Sequence, residues 1–211
     1  MQWFRLALGA VCLLGISSSS APVRADAFEL PPPPSSHPPR IAAEFRLDVV
    51  FPLDQKPICP SGSRCVFGGG AGLGALVEWR WPSGLGLGLG YDAWFLDGNG
   101  VHELTTMQSL RVGVRYQFLR DRQTHPWIGA AFGGLLFGDT FRADAAGGLV
   151  DVQLGVEFEL SASLAFTIGA TLRWLSTTSF RTSSDGVERA EGFGPVGAAA
   201  LSVGLVLLPS T

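Results

Sequence analysis

Two cysteines, three histidines and a run of glycines are the residues outside the N-terminal stretch that could carry chemistry. Cys59 and Cys65 enclose a Pro/Gly/Ser loop, CPSGSRC. In an exported chain an even pair of this kind suggests a disulfide; two free thiols or half a metal site are the alternatives, and no histidine lies near. GGGAGLG at 68–74 invites a phosphate-loop reading, but no G-x-G-x-x-G register fits and no Gly-Lys-Ser/Thr follows. His37 lies in a proline-rich stretch and His125 beside a turn. His102, with Glu103 and a nearby serine, has the residue types for ester hydrolysis, but no spacing sets a nucleophile against a base. The largest chemical signal is ionic. Thirteen charged residues recur at alternate positions: Glu44, Arg46, Asp48, Glu78, Arg80, Asp92, Glu103, Arg111, Arg115, Asp151, Glu157, Glu159 and Arg173.

The elements that must position these charges alternate with period two. In IAAEFRLDVVF (41–51), Ile41, Ala43, Phe45, Leu47, Val49 and Phe51 take one face, and Glu44, Arg46 and Asp48 the other. The same division recurs in 67–81, 84–96, 103–118, 147–160 and 163–175. All thirteen charges fall in the non-greasy phase. Six phases are chosen to fit, so seven agreements are independent, a chance of about one in a hundred. Segments 126–137 and 195–208 are strands with no charge to mark their phase. Residues 192–211 carry no charge, yet Gly194, Pro195, Gly197, Ser202 and Gly204 suit a strand better than a membrane helix. Eight strands result, most reaching the roughly 9–11 residues of a tilted strand that crosses a bilayer.

The N-terminus reads as an export signal. Arg5 precedes the apolar run LALGAVCLLGI (6–16), and Val23-Arg24-Ala25 offers a cleavage site after Ala25. Residues 26–40, with PPPPSSHPPR, form a polyproline spacer. Cleavage leaves 13 basic and 18 acidic residues, about −5 net. That balance has no nucleic-acid footprint. Only 16% of the 211 residues are charged and mean hydropathy is +0.28, so a disordered chain is excluded.

The gaps after odd-numbered strands are mostly longer than those after even ones, as in transmembrane barrels. Trp79, Trp81, Tyr116, Phe118 and Phe158 fall near the short-turn side. Phe51, Phe95 and Trp174 fall near the long-loop side, where amphipathic rings meet headgroups. These features resemble the small eight-stranded outer-membrane β-barrels of the OmpA/OmpX type, and PWIGAAFGG (126–134) is similar to a strand start common in that family. One departure is the ending LVLLPST, where family members usually finish on an aromatic residue.

The resemblance implies an all-β fold, an eight-stranded antiparallel up-and-down transmembrane β-barrel over 41–208, in the bacterial outer membrane. It implies a structural or surface-interaction role, with outer-membrane lipid, lipopolysaccharide and the assembly machinery as partners and no cofactor. The alternatives are a small channel, an outer-leaflet lipid hydrolase built on His102, and a soluble periplasmic β-barrel with the greasy phase inside. The expected lumen network is Glu44, Arg46, Asp48, Glu78, Arg80, Asp92, Arg111, Arg115, Asp151, Glu157, Glu159 and Arg173, each arginine meeting carboxylates. Glycines on the second and third strands are expected to make room for Asp151, Glu157 and Glu159. A Cys59–Cys65 disulfide is expected in the first long loop.

Overall fold

The computed structural model describes residues 39–56, 58–119, 122–140, 142–182, 184–190 and 195–209. The export segment 1–25, the spacer up to residue 38 and His37 lie outside them. Eight strands make one closed wall: β1 (Arg40–Asp54), β2 (Gly70–Arg80), β3 (Leu85–Leu96), β4 (Thr105–Gln117), β5 (Thr124–Asp139), β6 (Ala145–Ser161), β7 (Leu164–Thr177) and β10 (Val196–Leu207). Between β7 and β10 a small hairpin, β8 (Phe180–Arg181) with β9 (Glu188–Arg189), stands in the loop. Every wall strand pairs antiparallel with its neighbours. The wall closes where β10 meets β1, from Ala43↔Leu207 to Phe51↔Ala199, so no backbone edge is left open.

Alternation in the sequence becomes inside and outside. Phe45, Leu47, Leu110, Leu154 and Phe132 point outward, Phe132 being 67% exposed, while Arg46, Asp48, Arg111 and Asp151 are buried. A wall greasy outside and charged inside suits hydrocarbon around it and excludes the soluble arrangement, which needs the opposite. The uncharged strands now have a phase. β5 turns Trp127, Ala131, Leu135 and Phe137 inward; β10 turns Leu201, Val203, Leu205 and Leu207 outward. No described helix is long and apolar enough to cross a membrane; here the strands form the wall.

Two expectations need correction. β4 begins at Thr105, so Glu103 is an exposed loop residue and not part of the inner face. The loop asymmetry also fails in the middle. β5 runs two residues beyond both expected ends and β6 two beyond one end and one beyond the other, and their link, 140–144, is no longer than 118–123 between β4 and β5. The other connections keep the asymmetry. At the short-turn end Gly84, at φ +90, closes the β2–β3 turn, its N–H donating to Trp81 O at 3.0 Å. Trp79, Tyr116 and Phe118 are exposed at this end, the last two edge to face at 4.9 Å, while Phe51 and Trp174 are exposed at the other.

Inside, three layers stack along the barrel. Ala42, Ala165, Val206 and Leu208 fill the short-turn end. Charged side chains fill the middle. At the long-loop end Ile58, Val66, Phe67, Val101, Phe137 and Phe180 form an apolar cap, with Cys59 and Cys65 packed against it.

Candidate functional site

The inward charges gather into two clusters. In the lower one Arg80, at the end of β2, reaches across to Glu157 on β6 with both terminal nitrogens, at 2.8 and 2.9 Å, and its Nε donates to Glu78 at 2.8 Å. Arg115 on β4 donates to Glu44 on β1 at 2.8 Å and lies 3.8 Å from Glu78. Its guanidinium also stacks over the Trp127 ring at 4.1 Å.

The upper cluster is centred on Asp92 of β3. Three arginines converge on this carboxylate: Arg46 from β1, Arg111 from β4 at 2.8 Å and Arg173 from β7 at 2.9 Å. Arg173 also grips Asp151 at 2.7 and 2.8 Å and lies over the Trp94 ring at 4.2 Å. Trp94 in turn donates its indole N–H to Asp48 at 3.0 Å, and Asp48 is 3.4 Å from Arg46 Nε. Burying each ion costs several kcal/mol, and close multidentate pairing is what offsets this.

Eleven of the twelve expected lumen residues stand in these clusters, six carboxylates against five guanidiniums. Glu159 stands apart at the short-turn rim, with Arg40 at 3.4 Å and His125 at 3.3 Å. A cavity of about 20 Å³, room for a single water, lies beside Glu78, Arg111, Arg115 and Gln153. Arg111 Nη2 and Arg115 Nη1 are buried without a hydrogen-bond partner among the described residues.

Sequence reasoning singled out neither Trp94 nor Trp127. The signal for Trp94 was available, since it shares the phase of Asp92; Trp127 lies in the stretch 126–137, which carries no charge to set its phase. The expected use of the glycines is corrected. A Cβ on Gly74 would meet Arg46 Nε at 2.7 Å, one on Gly88 would meet Leu76 at 2.8 Å, one on Gly90 would meet Arg111 at 3.3 Å, and one on Gly72 would enter the Trp94 indole. The room belongs to side chains of the same or neighbouring strands, not to the carboxylates of β6.

The long-loop end is a second organised region. Cys59 and Cys65 are joined by a disulfide. Arg189 of β9, fully buried, donates to the backbone carbonyls of Ile58 at 3.2 Å and Arg64 at 2.9 Å, the residues directly before the two bridged cysteines. It also binds Thr182 and Asp185 within its own hairpin. Ser184 donates to Val101 O at 2.7 Å, and Asn99 to Cys65 O at 3.0 Å, so three loops are tied together.

His102 is buried beneath this cap. Its Nδ1 is 3.1 Å from Thr105 Oγ1, which gives its one proton to Val66 O at 2.8 Å. His102 therefore donates through Nδ1. Burial holds its pKa below the ordinary value, with Arg189 acting in the same sense and the nearby carboxylates against it. It turns to a threonine rather than a serine, and Glu103 points to solvent. Among the described residues no group of three or more His, Cys, Asp or Glu is arranged for a metal ion.

No protein-family model matches this chain, and no curated protein matches it. Solved structures do. Neisserial surface protein A superposes with a TM-score of 0.60 at 12% identity, over 79% of this chain and 96% of that one. Ail, the attachment invasion locus protein of Yersinia pestis, gives 0.45 at 9% identity over 82% and 100%. The outer membrane enzyme PagL gives 0.42 at 15% identity over 79% and 99%. The chain has the fold of the small eight-stranded outer-membrane barrels. A fold of this kind does not name an activity.

Proposed function

We propose that the chain is a bacterial outer-membrane β-barrel with a structural or surface-interaction role, and that it does not conduct. The observation that carries this reading is the filled interior. Two ion-pair clusters occupy the middle of the barrel, and the apolar cap clamped by Arg189 covers one end. An eight-stranded wall encloses just enough space for side chains, so little room is left for an aqueous path. The long loops face the cell exterior and the short turns the periplasm, following the usual asymmetry of such barrels. Residues 1–25 direct export and 26–39 are the periplasmic spacer, which ends where β1 begins at Arg40.

Recognition belongs to the loops 52–66 and 176–192, presented on the disulfide and the Arg189 clamp. Lipid and lipopolysaccharide surround the wall. His102 serves packing of the cap rather than lipid hydrolysis; His102→Ala should leave lipid profiles unchanged on overexpression. Reconstitution in planar bilayers tests the main reading. No current steps above noise are expected, and reproducible single-channel steps would overturn it. Protease treatment of intact cells tests the orientation: the 176–192 loop should be cut without breaking the outer membrane.

A further inference from the structure

The outer wall is not uniformly smooth. A groove of about 370 Å³ crosses β3 to β6, lined by Tyr91, Gln108, Leu110, Gly134, Leu136 and Gly147. On its floor Gly134 pairs with Leu110 on one side and, on the other, with Gly148, the residue after the lining Gly147. Inward glycines such as Gly74 leave room for buried side chains. These two outward glycines do not: a Cβ on Gly134 or Gly148 would come no nearer than 3.8 or 3.7 Å to a backbone oxygen. Glycine weakens a strand and exposes backbone, so the chain leaves open a space that its own packing does not need.

A polar pair lines the same groove. Tyr91 Oη donates to Gln108 Oε1 at 2.9 Å. Among the described residues no acceptor reaches the Gln108 amide nitrogen. Donors without a partner are costly against hydrocarbon. Gln108 is three residues from the long-loop end of β4, ~10 Å along a strand, which places it in the half of the apolar band nearer the loops.

We infer that this groove is a lipid site: it holds one acyl chain of an outer-leaflet, glucosamine-based lipid, with an ester or hydroxyl oxygen accepting from the Gln108 amide. The assignment to the outer leaflet rests on the orientation given under the proposed function. The size suits a single chain, since 370 Å³ lies at the low end of small-ligand sites. A second copy of the protein would need roughly 20–30 residues on each side, far more than the groove offers. An acyl chain with a polar group a few carbons below its headgroup meets both the apolar floor and the unpartnered amide. A plain phospholipid ester lies closer to the headgroup.

The test is native mass spectrometry of the full folded barrel in detergent, offered equal amounts of lipid A and phosphatidylethanolamine. The natural sequence should retain one lipid A in preference. Gly134→Leu with Gly148→Leu fills the groove, and unaltered heat-dependent gel mobility shows that the variant folds. Lipid A retention should fall at least about tenfold. Gln108→Leu should weaken it about fivefold, the worth of one hydrogen bond. Equal retention by the filled variant would overturn the site. Equal retention of both lipids would overturn the lipid class, and a dimer lost in the filled variant would assign the groove to a second copy. These outcomes need no cell, so they are read separately from loop accessibility and conductance.

Discussion

Arg80 meets Glu157 across the barrel interior as a two-pronged pair, Nη1 to Oε1 at 2.8 Å and Nη2 to Oε2 at 2.9 Å. Both side chains are almost wholly buried. Removing one partner leaves the other charge stranded, whereas replacing both with apolar groups does not. Glu157→Leu or Arg80→Leu should therefore each cost about 3–5 kcal/mol. The double replacement Arg80→Leu with Glu157→Leu should cost much less than the sum. Urea unfolding in lipid vesicles, run as a double-mutant cycle, measures the difference.

Glycines inside the barrel are spacers for particular neighbours. Gly88 sits where a Cβ would press on Leu76 at 2.8 Å and on Val77 O at 3.1 Å. The carbonyl belongs to the wall and cannot swing aside. Gly88→Leu should impair folding, seen as loss of the compact, heat-resistant band on a gel. Gly134→Leu, on the outer face, should leave that band intact.

The inner and outer faces were legible because period two is written locally. Arg46 and Asp48 flank Leu47, and any strand must send the two charges to one side and Leu47 to the other. Partners were not legible. Arg80 finds Glu157 77 positions away, and Arg46, Arg111 and Arg173 share Asp92, because closure and stagger of the wall set which residues lie at one height. The uncharged stretch around Trp127 had no marker of phase, so the stacking of Arg115 on that ring came only with the fold. Arg189 lay in a polar loop with nothing local to separate it from Arg181. Its role depends on two carbonyls more than a hundred residues away.

Arg189 should matter to the cap and little to the wall. Arg189→Met removes hydrogen bonds to Ile58 O and Arg64 O and leaves Asp185 without its guanidinium. A charged hydrogen bond is worth about 1.5–3 kcal/mol. Amide exchange in 55–69 and 178–190 should rise about tenfold or more, while the unfolding midpoint of the barrel stays close to that of the natural sequence. Reduction of the Cys59–Cys65 bridge should loosen the same two segments.

The mature chain should begin at Asp26. Val23-Arg24-Ala25 has the small or aliphatic residues that signal cleavage favours. Intact mass of protein extracted from outer membranes reads the start directly. A mass that includes the first twenty-five residues would count against export by this route.

Acid should open the cap before it unfolds the wall. Burial keeps the His102 pKa below its ordinary 6.5, so the closed cap binds fewer protons there than the open one. Closure is then fully favoured above about 6.5 and loses stability as pH falls from 6.5 towards the lowered value. Asp185 acts in the same sense at lower pH. Burial would raise its pKa, but hydrogen bonds from Thr182 and the Val187 N–H, together with the Arg189 charge, hold it below 3.8. Its contribution is present above 3.8 and is lost as pH falls through the depressed value. Amide exchange in the loops, corrected for its intrinsic pH dependence, should therefore show a first loosening just below pH 6.5. His102→Gln, which keeps a side-chain donor and does not titrate, should abolish that first step and leave the one below 3.8. Persistence of the first step in His102→Gln would assign it to another group.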